Sequence, residues 1–320
     1  MKRFIVVLMI ISLILLIGSS AIGAQEEWPN KPIRLIIGYG AGGSADLSAR
    51  MLAPILEKEL GQKIVCENKP GGAGTVAASL TATQKPDGYQ LFTLVTAPAV
   101  LTPHMQDLPF NPLEDFSLIS RYAIWQYGLA VRSDSPWKTF DDFIKFAKEN
   151  PGEVSYSLSG AGNPQHLVME RLGLINGIEW KAIPFKSGPE ASAACMGGHT
   201  SVIAGTSEQI TAGDMRVLVS FDEERNEAFP DAPTLKELGY DIVAPSLLGI
   251  AGPAGIPEPI VEKLDQAIKK ALDDPKFIDL MKKIKFKIAY LDHKEFRKQL
   301  ELVYNEQGEL IKKIGLGKEQ

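Results

Sequence analysis

The stretch Gly38-Tyr39-Gly40-Ala41-Gly42-Gly43-Ser44 connects a buried strand to a helix through a glycine-rich turn, and this connection indicates an α/β fold. The short apolar run at 32–37 that precedes it predicts the strand. Ser44 is a favourable N-cap, and residues 45–60 carry apolar side chains at helical spacing. Gly61 is expected to end this helix. Strand, turn and helix form the first unit of an α/β fold.

The same pattern recurs along the chain. The first series predicts strands at 63–66 and 90–95 with a helix at 75–83, which is typical of right-handed crossovers in a parallel sheet. A second series predicts strands at 127–132, 154–157, 180–184, 201–204 and 216–220, with helices at 140–149, 165–175 and 188–196. The C-terminal part predicts helices at 257–272, 275–284 and 294–313 and a strand at 286–290. We therefore expect two doubly wound α/β domains in tandem.

The composition is that of an ordinary globular protein. The chain has 320 residues, of which 45% are hydrophobic and 23% charged, which excludes a disordered or fibrous protein. This length corresponds to roughly two domains of about 100–150 residues each. Lys and Arg number 34 against 39 Asp and Glu, giving a net charge of −5. We expect no nucleic-acid partner, because such partners require a basic surface.

The N-terminus has the pattern of a secretory signal. A basic start, Met1-Lys2-Arg3, precedes an apolar run at 4–17 and small residues at 18–24. The apolar run is shorter than the roughly 20 residues needed to span a bilayer. Residues 1–24 are therefore predicted to be a signal peptide cleaved after Gly23 or Ala24, and the mature protein to be periplasmic. The alternative is an uncleaved N-terminal anchor.

Cysteine and histidine usage gives no sign of a disulfide, metal or cofactor site. Only Cys66 and Cys195 could form a disulfide, and the pattern places them in different domains. We expect two buried free thiols. The four His residues are dispersed, without metal-ligand spacing, so no metal is expected.

Two glycine-rich turns are candidate anion sites, namely Gly42-Gly43-Ser44 and Ser159-Gly160-Ala161-Gly162-Asn163. Each leads from a strand to a helix N-terminus, where unpaired N–H groups and the helix dipole attract an anion. If the two domains face each other, both turns could bind one carboxylate. The alternative is ordinary turn chemistry, which every doubly wound fold needs.

Three charged or titratable residues near these turns have two interpretations each. Asp46 could complement its helix N-terminus or bind an ammonium group. His166, at the start of the second helix, could be structural or could contact a ligand as a neutral imidazole. Lys186 could be a solvated surface lysine or could face the cleft.

An enzyme is the main alternative class. Gly38, Gly40 and Gly43 match the G-x-G-x-x-G dinucleotide fingerprint, and Glu67 lies where a ribose-binding acid is expected. An exported protein meets little NAD, however, and this argues against a dehydrogenase. No nucleophile elbow, zinc-protease motif, C-x-x-C or phosphate-binding P-loop occurs. No catalytic residue is predicted.

Several ordered motifs make the chain similar to one family. The sequence resembles the tripartite tricarboxylate transporter substrate-binding family, also called the Bug family of bacterial periplasmic receptors, over about residues 28–316. The resemblance rests on the segments at 28–34, 40–46, 67–74, 86–91, 110–116, 151–156, 159–167 and 230–237. The chain departs from the family pattern at Ala41, where Pro is usual, at Ser187, and before Gly249, where an aromatic residue is usual.

The resemblance implies a two-domain flytrap of the periplasmic-binding-protein type. Residues 25–122 with 247–320 would form domain I and residues 123–246 domain II, with crossings near 121–125 and 244–248. The family holds a ligand carboxylate with main-chain amides and ordered waters from both loops. Carried onto this chain, the contacts are Tyr39, Gly42, Gly43, Ser44, Asp46, Thr96, Ala97, Ser159, Gly160 and Gly162, with His166, Lys186 and Ser207 as further candidates.

The leading hypothesis is therefore a monomeric extracytoplasmic receptor, not an enzyme. It would close on a small organic carboxylate and deliver it to the permease subunits of a tripartite tricarboxylate transporter. An alternative is an exported sensor subunit that presents a carboxylate to a membrane kinase. An NAD-binding enzyme is the third hypothesis.

Overall fold

The computed structural model describes residues 27–211, 213–313 and 315–318. The predicted signal peptide, residues 1–24, and its cleavage position lie outside the described residues. The chain from Lys31 onward forms one compact unit, to which all elements described below belong. No helix within the described ranges is long and apolar enough to cross a membrane.

Six strands form the first sheet. In chain order these are β1 (Ile33–Ile37), β2 (Ile64–Asn68), β3 (Gln90–Val95), β4 (Phe116–Ile124), β10 (Leu248–Pro253) and β11 (Lys287–Asp292). Their spatial order is β11-β4-β10-β3-β1-β2. Strands β2 and β3 both pair parallel with β1, as the predicted crossovers require. Strand β10 runs antiparallel to β3 and β4, and β11 runs antiparallel to β4, so the sheet is mixed.

Five strands form the second sheet, which is also mixed. They are β5 (Tyr127–Arg132), β6 (Ser155–Ser159), β7 (Lys181–Phe185), β8 (Val202–Thr206) and β9 (Met215–Ser220). Their spatial order is β7-β6-β8-β5-β9. Strand β6 pairs parallel with β7 and β8, whereas β5 pairs antiparallel with β8 and β9. The chain leaves the first sheet after Ile124 and returns to it at Leu248.

Eight helices of at least eight residues cover these sheets within the described ranges. They are α1 (Ser44–Leu60), α2 (Thr75–Ala82), α3 (Phe140–Glu149), α4 (Pro164–Asn176), α5 (Gly188–Met196), α6 (Glu258–Leu272), α7 (Pro275–Lys283) and α8 (His293–Lys313). Shorter helical segments occur at Gly72–Gly74, Ala97–Leu101, Thr102–Met105 and Ser207–Thr211. The predicted α/β class with two sheet domains is confirmed.

Two helix starts show how local chemistry fixes the elements. Before α3, the hydroxyl of Thr139 accepts the N–H of Asp142 at 3.1 Å, while the Asp142 carboxylate accepts the N–H of Thr139 at 2.9 Å. The start of α1 differs from the prediction, because Gly43 is the N-cap and Ser44 is the first helical residue. The Ser44 hydroxyl is used elsewhere, since it accepts the indole N–H of Trp125 at 3.1 Å.

Strands β4 and β10 were not predicted. Strand β10 has the sequence LGIAGP, whose glycines and proline are typical of loops. In the folded chain it lies between β3 and β4, and all six of its residues are buried. A Cβ added at Gly249 would lie 2.5 Å from the Phe296 ring, so only glycine lets α8 pack this close to the sheet.

The two cysteines are free, as expected. Cys195 is buried in α5, and burial raises the pKa of its thiol to about 11. Cys66 differs from the expectation in being only partly buried, on the edge strand β2. It lies in the first sheet, whereas Cys195 packs against the second.

The close packing at Gly249 predicts a destabilised Gly249→Ala variant. The new Cβ would meet both the Phe296 ring and, at 2.8 Å, the backbone oxygen of Ser120, which cannot move freely in a central strand. Overpacking of this kind costs about 1–3 kcal/mol. Urea unfolding should therefore show a lower midpoint with an unchanged slope.

The matched control is Gly317→Ala, whose Cβ would have no atom nearer than 3.6 Å. This variant should unfold at the wild-type midpoint. Equal midpoints for Gly249→Ala and the wild type would contradict the packing argument.

Candidate functional site

A narrow cavity, here called the cleft, lies between the two sheets. Its wall includes Tyr39, which follows β1, and the last residues of β3, β6 and β8, which are Val95, Ser159 and Thr206. The volume that the centre of a water molecule can reach is about 30 Å³. That is room for about two water molecules, since one needs roughly 10–15 Å³. Open α/β sheets bind ligands at this carboxyl end of their strands.

The first glycine-rich loop is held by the carboxylate of Asp46. Gly42 has a φ of +81°, which favours glycine, and its N–H donates to Oδ2 of Asp46 at 3.0 Å. Oδ1 of the same carboxylate accepts hydrogen bonds from Arg50 and Asn68, both at 2.8 Å. Asp46 is 3% exposed. Its carboxylate therefore fixes the loop and the start of α1, and does not line the cleft.

The second loop is built in the same way around His166. Gly162 has a φ of +76°, and its N–H donates to Nδ1 of His166 at 2.9 Å. Asn163 caps α4 with its Oδ1, which accepts the N–H of His166 at 3.1 Å. An imidazole nitrogen that accepts an N–H must be unprotonated. Burial lowers the pKa of His166, and the nearby Glu170 carboxylate acts in the opposite direction.

Both loops thus leave helix N-terminal donors at the cleft. In each loop, a glycine N–H donates to the side chain four residues later, from Gly42 to Asp46 and from Gly162 to His166. No described residue accepts the N–H groups of Ser44, Ala45 or Gln165, all of which belong to the cleft wall. An α-helix carries about half a positive charge at its N-terminus. Two such ends, at α1 and α4, face one cavity.

The cleft wall carries no basic side chain within the part of the chain that the structure describes. Its polar groups are hydroxyls, side-chain amides and backbone groups, such as those of Ser44, Ser159 and Gln209. An anion would therefore be held by hydrogen-bond donors and helix dipoles, and not by an ion pair. This arrangement can bind a negatively charged ligand.

The structure brings six of the predicted site residues to the cleft wall. These are Tyr39, Gly43, Ser44, Thr96, Ala97 and Ser159. The other seven lie away from the wall: Gly42, Asp46, Gly160, Gly162, His166, Lys186 and Ser207.

Those seven residues have other positions in the fold. Gly160 packs against Ala73, from which a Cβ at residue 160 would be 3.2 Å away. Lys186 is exposed. Ser207 lies at the crossing between the sheets, where its N–H donates to the Gln126 carbonyl at 2.9 Å and its hydroxyl accepts from Asn226 at 2.8 Å.

Several wall residues were missed by the sequence reasoning. Trp125 and Tyr127 flank the crossing from the first sheet to the second, while Gln165, Thr206 and Gln209 follow or end strands of the second sheet. Asn163, which belongs to the second predicted turn, also lines the wall. Thr206 replaces the predicted Ser207 because β8 is longer than predicted and ends at residue 206. The signal that could have found Gln165 is its place in the first turn of α4, directly after the glycine-rich loop.

The crossing between the sheets is tied to the cleft. The Trp125 ring lies 6.4 Å from the Tyr39 ring and 5.4 Å from that of Phe286, measured between centroids. The hydroxyl of Thr96 accepts the N–H of Leu247 at 2.9 Å. A movement at the crossing would therefore displace residues of the cleft wall.

Glu67, the residue that the dinucleotide pattern assigns to ribose binding, is used elsewhere. Both carboxylate oxygens of Glu67 accept hydrogen bonds from the Arg34 guanidinium, each at 3.0 Å. This pair lies between β1 and β2 and holds the pKa of Glu67 below its usual value. The glycines of the pattern serve the anion loop described above.

Comparison with known proteins identifies the family. Residues 48–316 match the family model described as the tripartite tricarboxylate transporter family receptor. The chain belongs to this receptor family. The expectation of a binding protein rather than an enzyme is thereby confirmed.

Individual members support the assignment. A UPF0065 protein of Cupriavidus necator, encoded in the gbd 5′ region, is 36% identical over 310 residues, which is 95% of this chain and 94% of the relative. A solved periplasmic transporter is 31% identical, with a TM-score of 0.85, covering 91% of this chain and 99% of the other. The periplasmic binding protein BugD is 26% identical, with a TM-score of 0.82 and coverage of 91% and 100%.

The His166 contact predicts a pH dependence of this receptor's stability. Since burial lowers the pKa of His166 in the folded protein, the unfolded chain binds a proton more readily. The stabilising contribution of the neutral imidazole is complete above the ordinary His pKa of about 6.5. It is lost as the pH falls through the lower pKa of His166 in the folded protein. The free energy of unfolding should therefore drop between about pH 7.5 and pH 5.

The control is His166→Asn, which offers a carbonyl acceptor to Gly162 but does not titrate. Chemical unfolding of both proteins across this range should show a shallower decline for the variant. If the free energy of unfolding declines equally in the wild type and the variant, protonation of His166 does not weaken the folded protein.

Proposed function

We propose that this receptor binds a small organic carboxylate in the cleft and delivers it to the permease subunits of a tripartite tricarboxylate transporter. The observation that carries the proposal is the pair of helix N-termini, α1 and α4, whose unpaired N–H groups meet at one cavity without a basic side chain. The family to which the chain belongs, a receptor for such transporters, supports the same conclusion.

A carboxylate suits this donor set better than a more highly charged anion. It carries one charge and about four acceptor positions, which two opposed sets of backbone N–H groups can fill. Without Lys or Arg in the described wall, a phosphate would keep much of its charge uncompensated. We assign the direct contacts to Tyr39, Gly43, Ser44, Thr96, Ala97 and Ser159, and a loop-fixing role to Gly42, Asp46, Gly160, Gly162 and His166.

The proposed mechanism is closure of two domains about a hinge. Residues 25–122 with 247–320 would form one domain and residues 123–246 the other, with the crossings on either side of the cleft as the hinge. Closure brings the two loops onto the same ligand and excludes water, which strengthens each hydrogen bond. We also propose that the N-terminal signal exports the protein to the periplasm, where it works as a monomer. Its similarity to the periplasmic binding protein BugD supports that location.

A thermal-shift panel tests the carboxylate function. Mono-, di- and tricarboxylates, acidic amino acids and aromatic acids should include ligands that raise the melting temperature of the mature protein, because a ligand that binds only the folded state stabilises it. Neutral sugars and metal ions serve as the negative set. Stabilisation by a sugar or metal, with none by any carboxylate, would refute the proposal.

The same panel run on Gly43→Val tests the loop assignment. Gly43 has a φ of −77°, so valine is tolerated by the backbone, but its side chain would occupy the approach to the α1 N-terminus. The stabilising shift should be lost while the unliganded melting temperature changes little. A shift equal to that of the wild type would place the ligand elsewhere.

Gly40→Ala tests closure separately from the fold. A Cβ at residue 40 would lie 3.1 Å from the Cβ of Ser187, across the cleft from the first loop. This contact opposes the closed arrangement and costs nothing once the domains separate. Isothermal titration should show affinity for a stabilising carboxylate reduced about 5- to 100-fold, the equivalent of about 1–3 kcal/mol.

Gly177→Ala is the control. Gly177 ends α4 with a φ of +65° and has open space around it, so alanine strains the backbone without touching the cleft. It should lower the melting temperature and leave the affinity unchanged. An unaltered affinity in Gly40→Ala would contradict closure at this contact.

A further inference from the structure

The cleft wall holds an acceptor that the carboxylate function leaves unused. The side-chain oxygen Oε1 of Gln165 is buried and has no hydrogen-bond partner among the described residues. The residue is 2% exposed and belongs to the wall, and its Nε2 makes only a long contact of 3.5 Å to the Ser159 hydroxyl. A buried polar atom without a partner costs about 1–3 kcal/mol. A ligand that donates a hydrogen bond would remove this cost.

A carboxylate lies beside the same wall. Glu208 follows β8 by two residues, and its Oε2 accepts the hydroxyl of Thr206 at 3.4 Å. The Ser44 hydroxyl, at the start of α1, lies close enough to lower the pKa of this carboxylate. Both Ser44 and Thr206 line the cleft.

Glu208 has no cationic partner within the described residues. It forms none of the ion pairs there, and only hydroxyl groups contribute favourable contacts to its carboxylate. Burial raises the pKa of Glu208, while the hydroxyl groups of Ser44 and Thr206 act in the opposite direction. The one hydrogen bond from Thr206 leaves most of its roughly four acceptor positions open among the described residues. A half-buried carboxylate in this position attracts a cation and repels a second anion.

We propose that the ligand is an amino acid, whose carboxylate meets the N-termini of α1 and α4 and whose ammonium group is held by Glu208 and Gln165. This inference rests on the proposed carboxylate function and narrows its substrate class. The donors of the two loops and the acceptors of Glu208 and Gln165 match the two opposite charges of one small zwitterion. Glu208 is then a specificity-determining residue, since it disfavours the matched acid that lacks the ammonium group.

Matched ligand sets test this inference by isothermal titration of the mature protein. One set is alanine, lactate and propionate, and the other is aspartate, malate and succinate. Within each set the carboxylates are the same, and the group beside one carboxylate is ammonium, hydroxyl or hydrogen. In at least one set, we expect the wild type to bind the amino acid at least tenfold more tightly than both other members.

Glu208→Gln tests the effect of the negative charge alone. Glutamine has the size of glutamate and keeps a side-chain oxygen that can accept the Thr206 hydroxyl. This variant should reduce the preference for the amino acid over the matched plain acid at least tenfold, mainly by weakening the binding of the amino acid. Gln165→Met removes the second acceptor and should move the ratio in the same direction. Glu179→Gln, an equal charge change at an exposed position beside β7, should leave the ratio at the wild-type value.

The outcomes separate the two proposals. If in neither set the amino acid binds more tightly than its plain acid, or if the ratio is unchanged in Glu208→Gln, the inference is overturned and the carboxylate function stands. Hydroxy acids binding as tightly as amino acids show that the donor is a hydroxyl and likewise overturn the ammonium assignment. If no carboxylate of the wider panel binds, the proposed function fails with it. Should Glu208→Gln not fold, the wild-type ratios and Gln165→Met still decide.

Discussion

The structure depends on keeping a few backbone N–H groups unpaired at two helix N-termini that face each other. Unpaired donors are costly when buried, so the surrounding loop must be fixed by other contacts. Each loop solves this with a glycine in the left-handed region, whose N–H is bound by the side chain four residues later. Asp46 does this in the first domain and His166 in the second. The donors that remain belong to residues of the cleft wall.

The choice of backbone donors over basic side chains has consequences for recognition. A guanidinium or ammonium group would bind many anions strongly, including those with high charge. Backbone N–H groups are fixed in position and carry only partial charges, so they favour a small anion that fits between the two loops. Discrimination among carboxylates then falls to neighbouring side chains. Gln165 and Glu208 are the neighbours whose acceptors are not fully used by the protein itself.

Close approach of the two domains is the second requirement. A Cβ at residue 40 would lie 3.1 Å from the Cβ of Ser187, and one at residue 160 would lie 3.2 Å from Ala73, so a larger side chain at either glycine would crowd the opposite domain. The hydroxyl of Ser44, at the start of α1, accepts the indole N–H of Trp125 at the crossing. Gly42 and Gly162 adopt the left-handed φ that their turns require, and Gly40 and Gly160 lie where the two domains come close.

The sequence by itself determined the α/β class, most helices and strands, both glycine-rich loops and the family. These features follow from local periodicity, capping residues and turn chemistry, which act over a few neighbouring residues. Tertiary structure alone decided that β10, despite its glycines, is a central strand, because only the packing of α8 makes Gly249 necessary. It also decided that Asp46 and His166 hold loops and that Gln165 lines the cleft. Such assignments depend on which groups meet in the folded chain, and spacing along the sequence cannot specify a contact between residues as distant as Ser44 and Trp125.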